Sequence, residues 1–199
     1  MGRLALILVL ASTLSSCAFK EKPVLMEMGP LPFAGNICRI AVLPFTNQTG
    51  HPGTIGTAYT RVFTSELIDY GNYIVSQEGD VRKILQQMKM IPGETLSSEQ
   101  LRALADRLGV QIVITGAVLE MSERDKSGRN LDPALAVVVR VLEASSGRTL
   151  WITYDASEGN QYQIIMHFGL INSMNALAKR SALEILDLWK KKGFEKCSE

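Results

Sequence analysis

Three cysteines, Cys17, Cys38 and Cys197, are the most reactive side chains of this 199-residue chain. A thiolate is both a nucleophile and a metal ligand. Cys17 closes the stretch Leu14-Ser15-Ser16-Cys17, downstream of an apolar run and far from any other thiol. Cys38 and Cys197 are candidates for a disulfide if the compartment is oxidising; two lone thiols can equally stay unpaired. A second candidate is Gly50-x-x-Gly53-x-x-Gly56, placed between an expected strand and an expected helix. Free N–H groups and the helix dipole make that place suitable for an anion. The spacing is neither G-x-G-x-x-G nor a P-loop, and no Lys is present, so a plain βα loop is the competing reading. His51 and His167 have no metal-ligand partner three or four residues away, and no G-x-S-x-G elbow exists for a hydrolase triad. Carboxylates are scattered (Glu66 and Asp69, Glu120 and Glu123, Asp155 and Glu158), and no pair indicates acid–base work. The residues therefore specify no metal, no cofactor and no enzyme.

The elements that must position these groups follow from periodicity. Arg39 to Phe45 is a short apolar run ended at a Pro, a buried strand. Thr54 to Tyr70 places Ile55, Tyr59, Val62, Phe63 and Leu67 on one helical face. Tyr73 to Gln77 is a second strand, and Asp80 is expected to cap a helix that Pro92-Gly93 closes. Ser97-x-x-Gln100 is a capping box opening a helix that Gly109 ends. Val110 to Met121 is a third strand in which Gly116 marks a bulge or a close backbone approach. Ser122 to Pro133 reads as a polar loop, Ala134 to Ala144 and Thr149 to Ala156 as strands, and Phe168 onward as the last helix. The expected architecture is α/β: a single domain with a mixed five-stranded sheet in the order β-α-β-α-α-β-β-β-α and helices packed on its faces. Its last three strands, joined by short loops, are antiparallel.

Charge and hydropathy bound the partners. With 21 basic and 20 acidic residues no global field attracts nucleic acid. Lys190-Lys191-Lys192 ends a helix, where cations suit the dipole. Residues 1–16 have the pattern of a secretory signal: one Arg, an apolar run from Leu4 to Ala11, then small residues. Leu14-Ser15-Ser16-Cys17 resembles the bacterial lipobox. That resemblance implies cleavage between Ser16 and Cys17 and acylation of the Cys17 sulfur, several acyl chains anchoring far more firmly than one. Ala18 after the Cys resembles an outer-membrane address. Residues 17–36 are then a lipidated lead-in with Pro23, Pro30 and Pro32, and 37–199 the folded domain. The lead-in is apolar enough that part of it should pack on the domain or on a neighbour. Fully extended, Ala18 to Asn36 spans at most ~65 Å.

Four stretches taken together carry a further resemblance: Ile40-Ala41-Val42-Leu43-Pro44-Phe45-Thr46-Asn47, Tyr73-Ile74-Val75, Leu104 through Gly116, and Val141-Leu142-Glu143-Ala144 with Gly147 and Leu150-Trp151. Their order is similar to that of the domain shared by CsgG, the penicillin-binding-protein activator LpoB and the N-terminal domain of TolB. The resemblance implies a non-enzymatic envelope lipoprotein acting through protein contacts. Ser122 to Pro133 and Ser157 to His167 are too short for the transmembrane hairpins of a CsgG-type pore. The reading is an outer-membrane-anchored accessory or assembly factor of an envelope or secretion complex, bound to membrane lipid through Cys17, with envelope proteins as partners and homo-oligomerisation open. The alternatives are an LpoB-like activator of a peptidoglycan synthase and a periplasmic anion- or nucleotide-binding protein.

Overall fold

The structure, a computed structural model, describes residues 23–29, 37–71, 73–90, 94, 96–124, 130–164 and 168–194. Cys17 and Cys197 lie outside them, as do the cleavage site at Ser16 and His167. The strands are β1 (Val24–Met28), β2 (Arg39–Val42), β3 (Thr46–Asn47), β4 (Ile74–Val75), β5 (Ile112–Arg124), β6 (Asn130–Glu143) and β7 (Thr149–Glu158). The helices are α1 (Ile55–Tyr70), α2 (Glu78–Gln87), α3 (Ser98–Leu108) and α4 (Met174–Lys191).

One mixed sheet runs in the order β1-β7-β6-β5-β2-β4, with β3 also pairing β5. β2 is parallel to β4 and β5, as helical crossovers require; β5, β6 and β7 are antiparallel, as short loops require. The α/β class and the element order stand, but the sheet has seven strands where five are expected. β3 is two residues long, too short to leave a periodic signal. β1 comes from the lead-in, which pairs antiparallel with β7 from Val24↔Ala156 to Met28↔Ile152. The described part of the lead-in, residues 23–29, packs on its own domain. Lys192, just past α4, holds the carboxylate of Glu27 at 2.7 Å and fixes β1 against that helix.

Three further boundaries move. Gln77, not Asp80, is the N-cap of α2. The described residues of the segment from Ser122 to Pro133 are strand, because β5 and β6 keep pairing to Arg124↔Asn130. Residues 168–172 are not helical: Gly169 takes a φ of 82°, and Ser173 caps α4 by accepting from the Ala176 amide. The helical spacing of Phe168, Ile171 and Met174 is coincidental. The Ser97–Gln100 capping box forms as read, and Gly109 ends α3 in the left-handed region. Gly116 is a close approach and not a bulge. A Cβ there would lie 2.4 Å from the Val138 carbonyl oxygen, while the register slips of β5 fall beyond Val118.

Helices α1 and α4 pack together across one face of the sheet. Beneath them lie Leu135, Val137, Val139 and Val141 of β6, with Trp151 of β7. Phe63 meets the edge of Trp189 at 5.8 Å, and Trp189 stacks near Trp151 at 6.0 Å. Helices α2 and α3 build a second, smaller core on the opposite face, over Ala41, Leu43 and Val113.

Candidate interaction surface

The second face is only half covered. Leu142 of β6 packs on the α2–α3 core, but among the described residues no helix is packed over Val138 and Arg140 of β6 or Ile152, Tyr154 and Ala156 of β7. The pairings set them in rows: Ala117, Val138, Tyr154 and Met26 in one, Thr115, Arg140 and Ile152 in the next, Ala136, Ala156 and Val24 in a third. Val24 and Met26 are 46% and 53% exposed, and Val138, Ile152, Tyr154 and Ala156 are half-buried. At the ~4.8 Å spacing of strands this face is about 15 Å wide. Apolar rows of that kind, with one charged side chain among them, are how sheets meet partners.

Between this face and the α2–α3 pair runs a groove of about 850 Å³. Leu85 and Met90 from the α2 side, Leu96 before α3, and Leu142 of β6 give it apolar walls, and Arg140 and Thr149 give it polar ones. Arg140 is exposed, while Arg61 and Arg82 are both engaged by Glu78. The Arg61 guanidinium donates from Nε at 3.0 Å and from Nη2 at 3.1 Å, and with Arg82 it holds the Glu78 carboxyl below the usual carboxylate range. Glu78, at the position where a dinucleotide fold would offer an acid to ribose, is here an ion-pair partner that clamps α1 to α2.

The loop at Gly50, Gly53 and Gly56 is organised by Asn47. Its amide nitrogen donates to the His51 carbonyl at 2.8 Å, and its Oδ1 accepts from the Thr49 amide and hydroxyl. The His51 amide donates to Thr49 Oγ1 at 3.2 Å. Gly50 and Gly53 have positive φ, whereas Gly56 lies in α1, where a Cβ would come within 2.1 Å of the Phe45 carbonyl oxygen. Gly56 is thus a packing glycine at a helix–strand crossing, while Gly50 and Gly53 are the two whose backbone takes positive φ.

Cys38 is disulfide-bonded. The other two cysteines of the chain, Cys17 and Cys197, lie outside the described residues. The carbonyl of Cys38 accepts from the Ile74 amide at 2.7 Å. The neighbouring Tyr73 hydroxyl donates to the Phe194 carbonyl at 3.2 Å, which brings the end of the described chain beside β2. Tyr73 itself is pushed up to about 12 by burial.

Sequence reasoning missed a buried polar chain. Tyr59 of α1 donates to Ser181 of α4 at 3.0 Å, and Ser181 donates to Asp155 of β7 at 2.5 Å. All three are closed to solvent. Burial raises the Asp155 carboxyl to about 6, against the lowering effect of the Ser181 hydrogen bond, and burial pushes the Tyr59 phenol far up. Beside it Trp189 Nε1 donates to Thr153 at 2.7 Å. No substrate reaches these groups, so they tie α1 and α4 to the sheet. The available signal was a polar run, Thr153, Asp155 and Ser157, on the inward side of a strand whose alternation is otherwise plain. Among the described residues no group of three His, Cys, Asp or Glu side chains could hold a metal ion, and no helix is long and apolar enough to cross a membrane.

No family model and no curated protein sequence matches the chain. Its fold is similar to that of a PelC dodecamer from Paraburkholderia phytofirmans, with 18% identity, 82% of this chain and 95% of that chain covered, and a TM-score of 0.56. Weaker likenesses are lipoprotein GNA1162 from Neisseria meningitidis (18% identity, 77% and 99% covered, TM-score 0.48) and the LpoB C-terminal domain from Salmonella enterica (15% identity, 62% and 85% covered, TM-score 0.42).

Proposed function

We propose that this chain is a non-enzymatic, lipid-anchored envelope protein that works by protein–protein contact, with the open sheet face and its groove as the contact surface. The observation that carries this is the half-covered face: β6 is apolar on both sides and β7 turns Ile152, Tyr154 and Ala156 outward, yet helices close only the other side in full. The reading includes acylation at Cys17 after cleavage behind Ser16 and the outer-membrane address, both resting on the sequence motif. Likeness to a PelC dodecamer supports homo-oligomerisation as the first use of the face. The CsgG part of the resemblance rests on the quoted sequence motifs. A pore of that type is not part of the proposal: among the described residues, 130–133 of β6 alone extend the hairpin beyond Ala134↔Glu158, short of the ~9–11 residues a spanning strand needs.

The test is site-specific photo-crosslinking in intact cells from Val138 on the open face and from Arg61 on the helical side. Crosslinks from Val138 to a second copy or to an envelope protein, with none from Arg61, are expected. Equal labelling from both positions, or none from Val138, would sink the assignment.

Cys38 and Cys197 are proposed as the bridged pair. An acylated Cys17 has no free thiol, and the chain returns to Tyr73 at Phe194, three residues before Cys197. Alkylation of the unreduced mature protein should then label neither residue; a labelled Cys197 overturns the pairing.

A further inference from the structure

We infer that the end of the molecule carrying the loop after β7 lies in the surface of a lipid bilayer, with Ile164 and Phe168 inserted among the headgroups. The inference rests on the proposed acylation of Cys17, and its test is built to separate the two.

Three segments meet at that end. Antiparallel pairing puts Val24, the start of β1, beside Ala156, close to the end of β7. Ala134↔Glu158 and Arg124↔Asn130 put the turn between β5 and β6 at the same end. Directly after Glu158 the chain makes a 3-10 turn, Gly159–Tyr162, and enters the loop that leads to α4.

That loop is held firmly and points apolar side chains outward. Its base closes where the Ile171 amide donates to the Gly159 carbonyl at 3.1 Å. Gly159 admits no side chain there, since a Cβ would fall 1.9 Å from the Ile171 carbonyl oxygen. Tyr162 donates to Glu184 of α4 at 2.9 Å, and Arg180 lies over its ring. The Ile164 amide then donates to the Phe168 carbonyl at 2.7 Å. Ile164 is 80% exposed and Phe168 76%, the two most exposed large apolar side chains described. A loop pinned at its base, with Ile164 and Phe168 turned to solvent, is built to meet something non-aqueous.

The length of the tether selects a bilayer over a protein. Pairing of β1 with β7 removes most of the lead-in from the anchor, so only residues 18–23 separate Cys17 from the fold. Fully extended they allow about 25 Å between Cys17 and Val24. An acylated Cys17 therefore keeps this end within about 25 Å of the lipid surface. Aromatic and aliphatic side chains presented there gain by entering the boundary between headgroups and acyl chains.

Two measurements on the purified full chain decide it. Intact mass of the mature protein reads the acyl group on Cys17. Phe168→Trp is then read by fluorescence in vesicles of phosphatidylethanolamine and phosphatidylglycerol, with bromines placed shallow on the acyl chains; the native Trp151 and Trp189 are buried and supply a constant background. Ile74→Trp, on the short edge strand β4, is the control, since Ile74 is 59% exposed. Emission from the tryptophan at 168 should fall about twofold and shift to the blue, and that at 74 should not change. Acylation with no quenching at 168, or with equal quenching at 168 and 74, overturns the inference and leaves the anchor standing. Quenching at 168 without an acyl group keeps the inserted loop and sinks the anchor. Neither signal sinks both.

Discussion

The two faces of the sheet are made of nearly the same strands and end in opposite states. On β6, Leu135, Val137, Val139 and Val141 lie under α1 and α4, while Ala136, Val138, Arg140 and Leu142 look the other way toward a surface that α2 and α3 cover only in part. The covered face holds the large aromatic side chains, with Phe63, Trp151 and Trp189 sealed from water. The open face holds mostly small and medium apolar groups, with Tyr154, around the Arg140 guanidinium. Stability is concentrated on one side of this molecule, and contact surface is left on the other. Substitutions should therefore separate cleanly by face.

The largest effect belongs to the covered face. Trp189→Ala removes the side chain that joins Phe63, Trp151 and Phe194 and strands the Thr153 hydroxyl, and it should cost about 3–5 kcal/mol in chemical denaturation. Tyr154→Ser, one residue from Thr153 but on the open side, should cost under about 1 kcal/mol. Similar losses from the two would erase the distinction between faces.

Second in size is the buried carboxylate of that same covered face. Asp155 has a folded-state value raised to about 6 from an ordinary 3.8. A raised carboxyl binds its proton more tightly when folded. Its favourable contribution is complete below the unfolded value and is lost as pH rises through about 6. Asp155→Asn should therefore stabilise the protein by about 2–3 kcal/mol at pH 8, by nothing at pH 4, and should flatten the stability profile between those limits. Urea midpoints across that range read it. A variant less stable than the parent at pH 8 would mean that the charge on Asp155 is needed in the fold.

What the sequence disclosed and what it hid follow the same division. Local signals were legible: the Ser97–Gln100 capping box, Gly109 as a left-handed cap, the parallel and antiparallel halves of the sheet. The caps are decided by residues within a few positions of one another, and strand direction by the length of each connection. The extra strand β1 was not legible as a strand. Val24 to Met28 offers no strict alternation, and its pairing is settled by β7, far away in sequence. The start of α4 was misplaced because Phe168, Ile171 and Met174 have helical spacing by chance, while Gly169 and the Ser173 cap carried the true boundary. As for the candidate surface, β6 is apolar on both faces, so periodicity alone could not say which face a helix would leave bare. The Tyr59–Ser181–Asp155 chain draws on three elements and exists only after they pack.

On the open face a change should be felt in assembly rather than in folding. Val138→Glu places a carboxylate in the middle of the apolar rows, beside Ala117 and Tyr154. Denaturation should shift by less than about 1 kcal/mol, because the side chain reaches water. Native mass spectrometry and in-cell crosslinking should lose the higher-order species. An intact assembly in a Val138→Glu chain would move the contact surface elsewhere.

The smallest energetic effect bears on how the two faces are tied to the anchor. Glu27 of β1 pairs with Lys192 at 2.7 Å, and Lys192 is 50% exposed, so Lys192→Ala should cost only a few tenths of a kcal/mol in global stability. Its local effect should be larger. β1 is an edge strand held by β7 on one side only, and opening it requires no disruption of the covered core. Amide exchange of Leu25 to Glu27 should speed up in Lys192→Ala while that of β6 stays fixed. Release of β1 would return the lead-in to its full ~65 Å reach and uncouple the loop at Ile164 and Phe168 from the bilayer. One half-exposed ion pair, with almost no weight in folding, would then set the distance between the domain and its membrane; unchanged exchange in β1 would show that pairing with β7 is sufficient on its own.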